Sequence, residues 1–250
     1  MSQNALVHLA VEGRTATVTL DSPHNRNALS RQLVTELAER LEEAEADPGV
    51  LVVVLQSADR VFCSGADLSE ASGGSMAQGT RAIVDLQRFM VAMSKPVVGR
   101  VAGPVRAGGI GLVAACDIVV AADEASFALT EVKLGLTPAV ISLTVLPRLS
   151  SRDAAYTFLT GETFGGAEAA RMGLVTESVA AEALDARVAE VCESLATGAA
   201  QGLRETKALL ARDLPGRIDA QRDDMAELSA RLFGSQEAKE AMTAFLSRGR

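Results

Sequence analysis

Two glycine-bearing turns carry the residue types from which a reaction site can be built. One is Phe62-Cys63-Ser64-Gly65-Ala66-Asp67-Leu68, which follows a strand-like apolar run. The other is Ala107-Gly108-Gly109-Ile110-Gly111-Leu112, which opens an apolar helical stretch running into Cys116-Asp117. Such a turn can point a bare backbone N–H at an external oxygen. Two such donors converging on one carbonyl make an oxyanion hole, which stabilises negative charge that develops only during reaction. A helix starting at Gly108 would add a positive partial charge there. Taken singly, each turn is also what glycine does in any tight bend. Glu131 supplies a group able to move protons. It sits among Phe127, Ala128, Leu129 and Val132, where loss of water would raise a carboxyl pKa toward neutrality. A solvated surface glutamate is the ordinary alternative.

Residues 7–11 and 15–20 alternate apolar and polar around Glu12-Gly13-Arg14, the pattern of a hairpin. Ser30 can cap a helix with Leu33, Val34, Leu37 and Leu41 on its apolar face. Residues 51–55 form an unbroken aliphatic run, expected of a strand buried on both faces. A second helix places Ile83, Leu86, Met90 and Met93 together, and residues 96–101 and 117–121 read as further strands. Strands alternating with helices predict a mainly parallel sheet with helices outside. Residues 69–79, small and polar, read as a mobile loop. From about residue 182 the pattern is helical. Leu184, Val188, Val191 and Leu195 share one face; Ile218, Met225, Leu228 and Leu232 share another. Ser235 can cap a last helix carrying Ala238, Met242 and Phe245.

The chain has 250 residues and a net charge of −8. The length suffices for a substantial core. The charge disfavours nucleic-acid binding, which needs a basic face, while still allowing a small anionic ligand held by a few arginines. No apolar run approaches the roughly 20 residues of a membrane span, so no membrane partner is expected. The start of the sequence lacks the basic and apolar regions of a secretory signal. The three scattered cysteines, Cys63, Cys116 and Cys192, fit a reducing cytoplasm better than a disulfide framework. There is no C-x-x-C and no His cluster, so no metal site is expected.

Several stretches, in order, resemble the enoyl-CoA hydratase/isomerase (crotonase) family. They are Asn25-Arg26-Asn27-Ala28-Leu29, residues 62–68, 103–117 and 127–135, then Leu159-Thr160-Gly161 with 167–175, and 239–246 near the end. The likeness covers nearly the whole chain. It implies an α/β fold, a spiral of β-β-α turns, over residues 1–181. A helical region, 182–250, would serve assembly as a homotrimer or dimer of trimers. The implied ligand is an acyl-CoA thioester whose coenzyme A is part of the substrate, with no separate cofactor. The implied chemistry is stabilisation of the thioester enolate by two backbone N–H groups, which match Ser64 and Gly108. Of the two glutamates that flank the enoyl group in hydratases, one matches Glu131. The other falls on Gly111, which has no side chain. Residues 109–117 and 130–142 look most like hydratases of branched or carboxylated enoyl-CoAs, several of which also carry glycine there.

By the same resemblance, the backbone of Asn27-Ala28-Leu29 lines the CoA groove, and Cys63, Ala66, Asp67 and Leu68 follow the substrate along the first turn; Arg26, just before that groove segment, fits either a phosphate of the ligand or a solvated surface position. Asp67 also suits fixing its own turn, and Cys63 suits packing. Arg106 stands where the family more often has an aliphatic or aromatic residue. A guanidinium there fits either an anionic group of the ligand or a structural ion pair. A dinucleotide fingerprint at Gly109-Ile110-Gly111 fails for want of the third glycine and the later acid. A serine hydrolase reading of Ser64 fails because Phe62 replaces the first glycine and both histidines precede the serine. The expectation is an enoyl-CoA hydratase. A Δ3,Δ2-enoyl-CoA isomerase using one glutamate, or a catalytically weak thioester-binding protein, are the alternatives.

Overall fold

Alternation at the start folds as the pattern predicts: β1 (Val7–Glu12) and β2 (Thr15–Leu20) pair antiparallel, Val7 opposite Leu20. This computed structural model describes residues 5–70 and 76–248. From β2 the large sheet is parallel, through β3 (Val52–Ser57), β4 (Val97–Val101), β6 (Ile118–Ala122) and β9 (Glu177–Val179). A small second sheet holds β5 (Val105–Arg106), β7 (Ser126–Ala128) and β8 (Phe164–Gly165). Parallel bridges Leu29–Ala66 and Cys63–Val105 extend this second layer along the chain. Successive turns of the chain therefore give a strand to the large sheet and then a short extended piece to the small one. That is a spiral of β-β-α turns.

Helices close each turn. Ser30 Oγ accepts the Leu33 N–H at 3.3 Å and caps α1 (Arg31–Ala46). α2 spans Met76–Ala92 and α3 Gly108–Ala115. Of the stretch expected to be a loop, 71–75 lie outside the described residues, and Gly79 already belongs to α2. Helix propensity from Met76 onward overrides the glycine there. α4 (Ala139–Val145), α5 (Ser151–Thr160) and α6 (Gly166–Met172) follow. β3 is buried on both faces. Val53 and Leu55 join the main core with Leu33, Leu37, Met90 and Ile110, while Val52 and Val54 meet Leu184, Val188 and Cys192 of α7 (Leu184–Ala196).

The helical end is fastened to the spiral. In α8 (Ala200–Leu210) the buried Lys207 Nζ donates to Met90 O at 2.9 Å and Lys95 O at 3.0 Å and pairs with Asp117 at 2.8 Å. α9 (Leu214–Phe233) packs on α2 and α4, with Ile218, Ala226 and Ser229 buried. Met225 packs against the core only partly, so the buried face is rotated from the one the sequence suggests. Ser235 Oγ accepts the Ala238 N–H at 3.2 Å at the start of α10 (Gln236–Arg248). The side chain of Phe245 lies outside the described residues. Among the described residues no helix is long and apolar enough to cross a membrane.

Candidate active site

Three irregular segments meet around one cavity of about 970 Å³. The first is the turn before α1, where Arg26 and Asn27 adopt φ of 58° and 54°. Asn27 holds this left-handed turn: its Oδ1 accepts from Ser22 N at 2.7 Å, and its Nδ2 donates to Val61 O at 2.9 Å and Phe62 O at 3.2 Å. Asparagine tolerates that conformation better than most side chains. Arg26, exposed, and Ala28 line the cavity.

The second segment is 62–70. The Ser64 N–H, expected to serve the oxyanion, is already used inside the protein. It donates to Arg26 O at 3.1 Å, and Ser64 Oγ donates to Asn25 O at 3.0 Å. The free donor lies two residues on. Gly65, at φ 97°, turns its carbonyl to Leu29 N at 2.8 Å, and the Ala66 N–H that follows on the cavity wall has no recorded acceptor among the described residues. Asp67 lines the cavity too, but its carboxylate is occupied. Oδ1 accepts from Ser69 N at 3.0 Å and Oγ at 2.6 Å, and Oδ2 from Asn25 Nδ2 at 3.0 Å. Burial pushes its pKa up, and these bonds with the His24 charge more than offset that, leaving it lowered. Cys63 is fully buried, does not line the cavity, and has a thiol pushed up to about 12 by burial. It packs under the second turn and is not a substrate contact. The Leu68 side chain lies outside the described residues.

The third segment is the turn into α3. Ala107 adopts φ 47°, ψ −120°, a glycine-like conformation, and directs the chain so that Gly108 opens the helix on the cavity wall. The two glycine turns abut: a Cβ on Gly65 would stand 2.9 Å from the Ala107 Cβ. One on Gly108 would stand 2.7 Å from Leu29 Cδ1. Ala66 and Gly108 thus carry backbone donors on adjoining turns of one cavity.

Glu131 lines the same cavity from a 3-10 segment, Thr130–Leu134, closed by Gly135 at φ 67°. Its Oε2 is buried without a hydrogen-bond partner. Burial raises its pKa to about 7, against a smaller lowering by its own backbone N–H. At neutral pH such a carboxyl exchanges protons readily in both directions.

Gly111 is the clear departure. It lies inside α3, off the cavity wall. A Cβ there would meet Ile141 Cγ2 at 2.6 Å and Gln87 Oε1 at 2.8 Å. Gln87 is itself held by the Thr144 hydroxyl at 2.6 Å. Side chains from two neighbouring helices, α2 and α4, fill the place of a second acid, and Gly111 presents nothing to the cavity. Arg106, half-buried on the cavity wall, donates to Val105 O, Ser126 O and Ser126 Oγ, and makes no ion pair among the described residues. Ser229 and Phe233 of α9 also line the cavity. Neither stood out in the sequence; the only available signal was their spacing of four, one helical turn.

The family model for Enoyl-CoA hydratase/isomerase matches residues 11–250. A short-chain-enoyl-CoA hydratase from Clostridium acetobutylicum is 30% identical over 97% of this chain and 95% of its own. A crotonyl-CoA hydratase from Syntrophomonas wolfei is 31% identical over 96% of this chain and 94% of its own. The crystal structure of an enoyl-CoA hydratase from Mycobacterium avium superposes with a TM-score of 0.92 at 45% identity, covering 98% of each chain. The chain belongs to the enoyl-CoA hydratase/isomerase family.

Proposed function

We propose that this chain is an enoyl-CoA hydratase that adds water to a trans-2-enoyl-CoA. The observation that carries the reading is Glu131: a carboxyl whose buried Oε2 has no hydrogen-bond partner and whose pKa is raised to about 7, on the same cavity wall as the Ala66 and Gly108 donors. The ionised carboxylate takes a proton from water as the water oxygen bonds to the β-carbon. The electron pair of the double bond moves to the thioester oxygen, where the two N–H groups hold the growing charge. Protonated Glu131 then gives its proton to the α-carbon, and a 3-hydroxyacyl-CoA leaves. One carboxyl thus serves as base and then as acid. The thioester itself is the electron sink, so the step draws on no separate cofactor.

The filled position at Gly111 favours a second reading. A single carboxyl moving one proton from C2 to C4 of a 3-enoyl-CoA gives isomerisation. Assaying purified protein with crotonyl-CoA and a 3-enoyl-CoA separates the two. Thioester binding with turnover of neither leaves a binding protein. A homotrimer or dimer of trimers, with 182–250 in its contacts, is supported by exposed Leu159, Leu209 and Leu210. Light scattering tests it, and a stable monomer refutes it. The unpaired cysteines suit the cytoplasm.

A further inference from the structure

Arg106 carries a charge that no acidic group among the described residues balances. It stands on the cavity wall, half-buried, immediately before the Ala107–Gly108 turn. Arg26 and Arg31, also on that wall, are exposed and can be balanced by water and counter-ions. Arg106 is less free to do so, and its partners are all neutral: Val105 O at 2.9 Å, Ser126 O at 2.6 Å and Ser126 Oγ at 3.0 Å. No carboxylate lies within ion-pairing distance among the described residues. Burial lowers its pKa, with no acidic group acting against that. Charges taken from water are ordinarily paired.

The unused donors have a definite shape. The two carbonyls take both Nη1 hydrogens, and Ser126 Oγ takes one from Nη2. Of the five guanidinium donors, Nε–H and one Nη2–H remain. In a guanidinium, Nε–H and the Nη2–H beside it are parallel, the fork that a carboxylate or phosphate fits with two bonds. β5 and β7, clipped together by the other edge, fix the fork in place.

We propose that Arg106 binds an oxyanion of the thioester substrate and so sets which thioesters the cavity accepts. The oxyanion is either a phosphate of the CoA moiety or a carboxylate on the acyl chain. The inference rests on the thioester reading above. It makes Arg106 a specificity residue, apart from the proton transfer at Glu131.

The test compares wild type with Arg106→Gln on three substrates: crotonyl-CoA, crotonyl-pantetheine without phosphates, and glutaconyl-CoA with a terminal carboxylate. Losing a charged hydrogen-bonding partner should cost about 10- to 100-fold in kcat/KM. A loss on both CoA esters that is absent for the pantetheine ester supports the inference with phosphate as the anion. A loss confined to glutaconyl-CoA supports it with the acyl carboxylate. In either case Arg106→Lys should recover part of the loss. Equal effects on all three substrates, or none, overturn it and leave Arg106 as a clip between β5 and β7. Wild type that neither binds nor turns over any thioester overturns the thioester reading and this inference with it.

Discussion

Replacing Glu131 with glutamine should destroy turnover and yet strengthen the fold at high pH. The carboxyl pKa moves from 4.5 in the unfolded chain to about 7 in the folded one. A raised carboxyl pKa means that the folded state holds its proton more tightly than the unfolded state does. Below about pH 4.5 both states are protonated and Glu131 costs nothing. Between there and about pH 7 the penalty grows, and above pH 7 it is complete. Its ceiling is roughly 3 kcal/mol; water in the adjoining cavity screens it, so about 1–3 kcal/mol is expected. Glutamine keeps the size and never ionises. Wild type and Glu131→Gln should therefore melt nearly together at about pH 4, and the variant should melt about 2–10 °C higher at about pH 9. Turnover of crotonyl-CoA should fall about 10²–10⁴-fold, with thioester binding retained in calorimetry. A melting difference that does not change between the two pH values would show that Glu131 titrates as an ordinary carboxyl. A variant with wild-type turnover would move the proton transfer elsewhere.

Gly108→Val places a branched side chain where even a Cβ comes within 2.7 Å of Leu29. It should lower kcat about 10²–10³-fold by displacing one donor, and full turnover in folded protein would put the oxyanion elsewhere. Gly111→Glu should not raise hydration, because Ile141 and Gln87 occupy the space. It should cost about 1–3 kcal/mol in urea unfolding, and only a companion Ile141→Ala should relieve this; faster hydration by the single variant refutes the packing argument. Lys207→Met leaves Asp117 and two carbonyls without their buried donor. A loss of about 3 kcal/mol is expected, and one under about 1 kcal/mol would mean that water replaces the amine.

Local pattern in the sequence was enough for the hairpin, for α1 with its Ser30 cap, and for the double-sided burial of β3. Each depends on residues close together in the chain. The burial of the Glu131 carboxyl was also legible, from the apolar stretch of sequence in which it stands. The choice of oxyanion donor was not. Whether Ser64 or Ala66 has a free N–H is decided by the Arg26 carbonyl, presented from a left-handed turn some forty positions earlier. The fate of Gly111 depends on Ile141 and Gln87, which arrive on two other helices. The neutral partners of Arg106 come from Ser126 on a separate strand. The buried face of α9 keeps Ile218 from the apolar pattern but turns toward Ala226 and Ser229, because α2 and α4, against which it packs, select it.

That α9 supplies Ser229 and Phe233 to the cavity also fixes an order of events on the ribosome. Every other described wall residue, from His24 to Ile141, is made before α9. While the nascent chain has reached only that far, Leu136, Val140 and Ile141 face an open trough with no helix across it. Such transient apolar surface is what chaperones engage and what drives nascent chains to aggregate. The chamber closes only once α9 is made and packs onto α2 and α4, and the helix made just before it is tied by Lys207 to Met90, Lys95 and Asp117. The closed chamber is therefore acquired late in synthesis, and a ribosome stalled before residue 214 would carry Glu131 without the chamber around it.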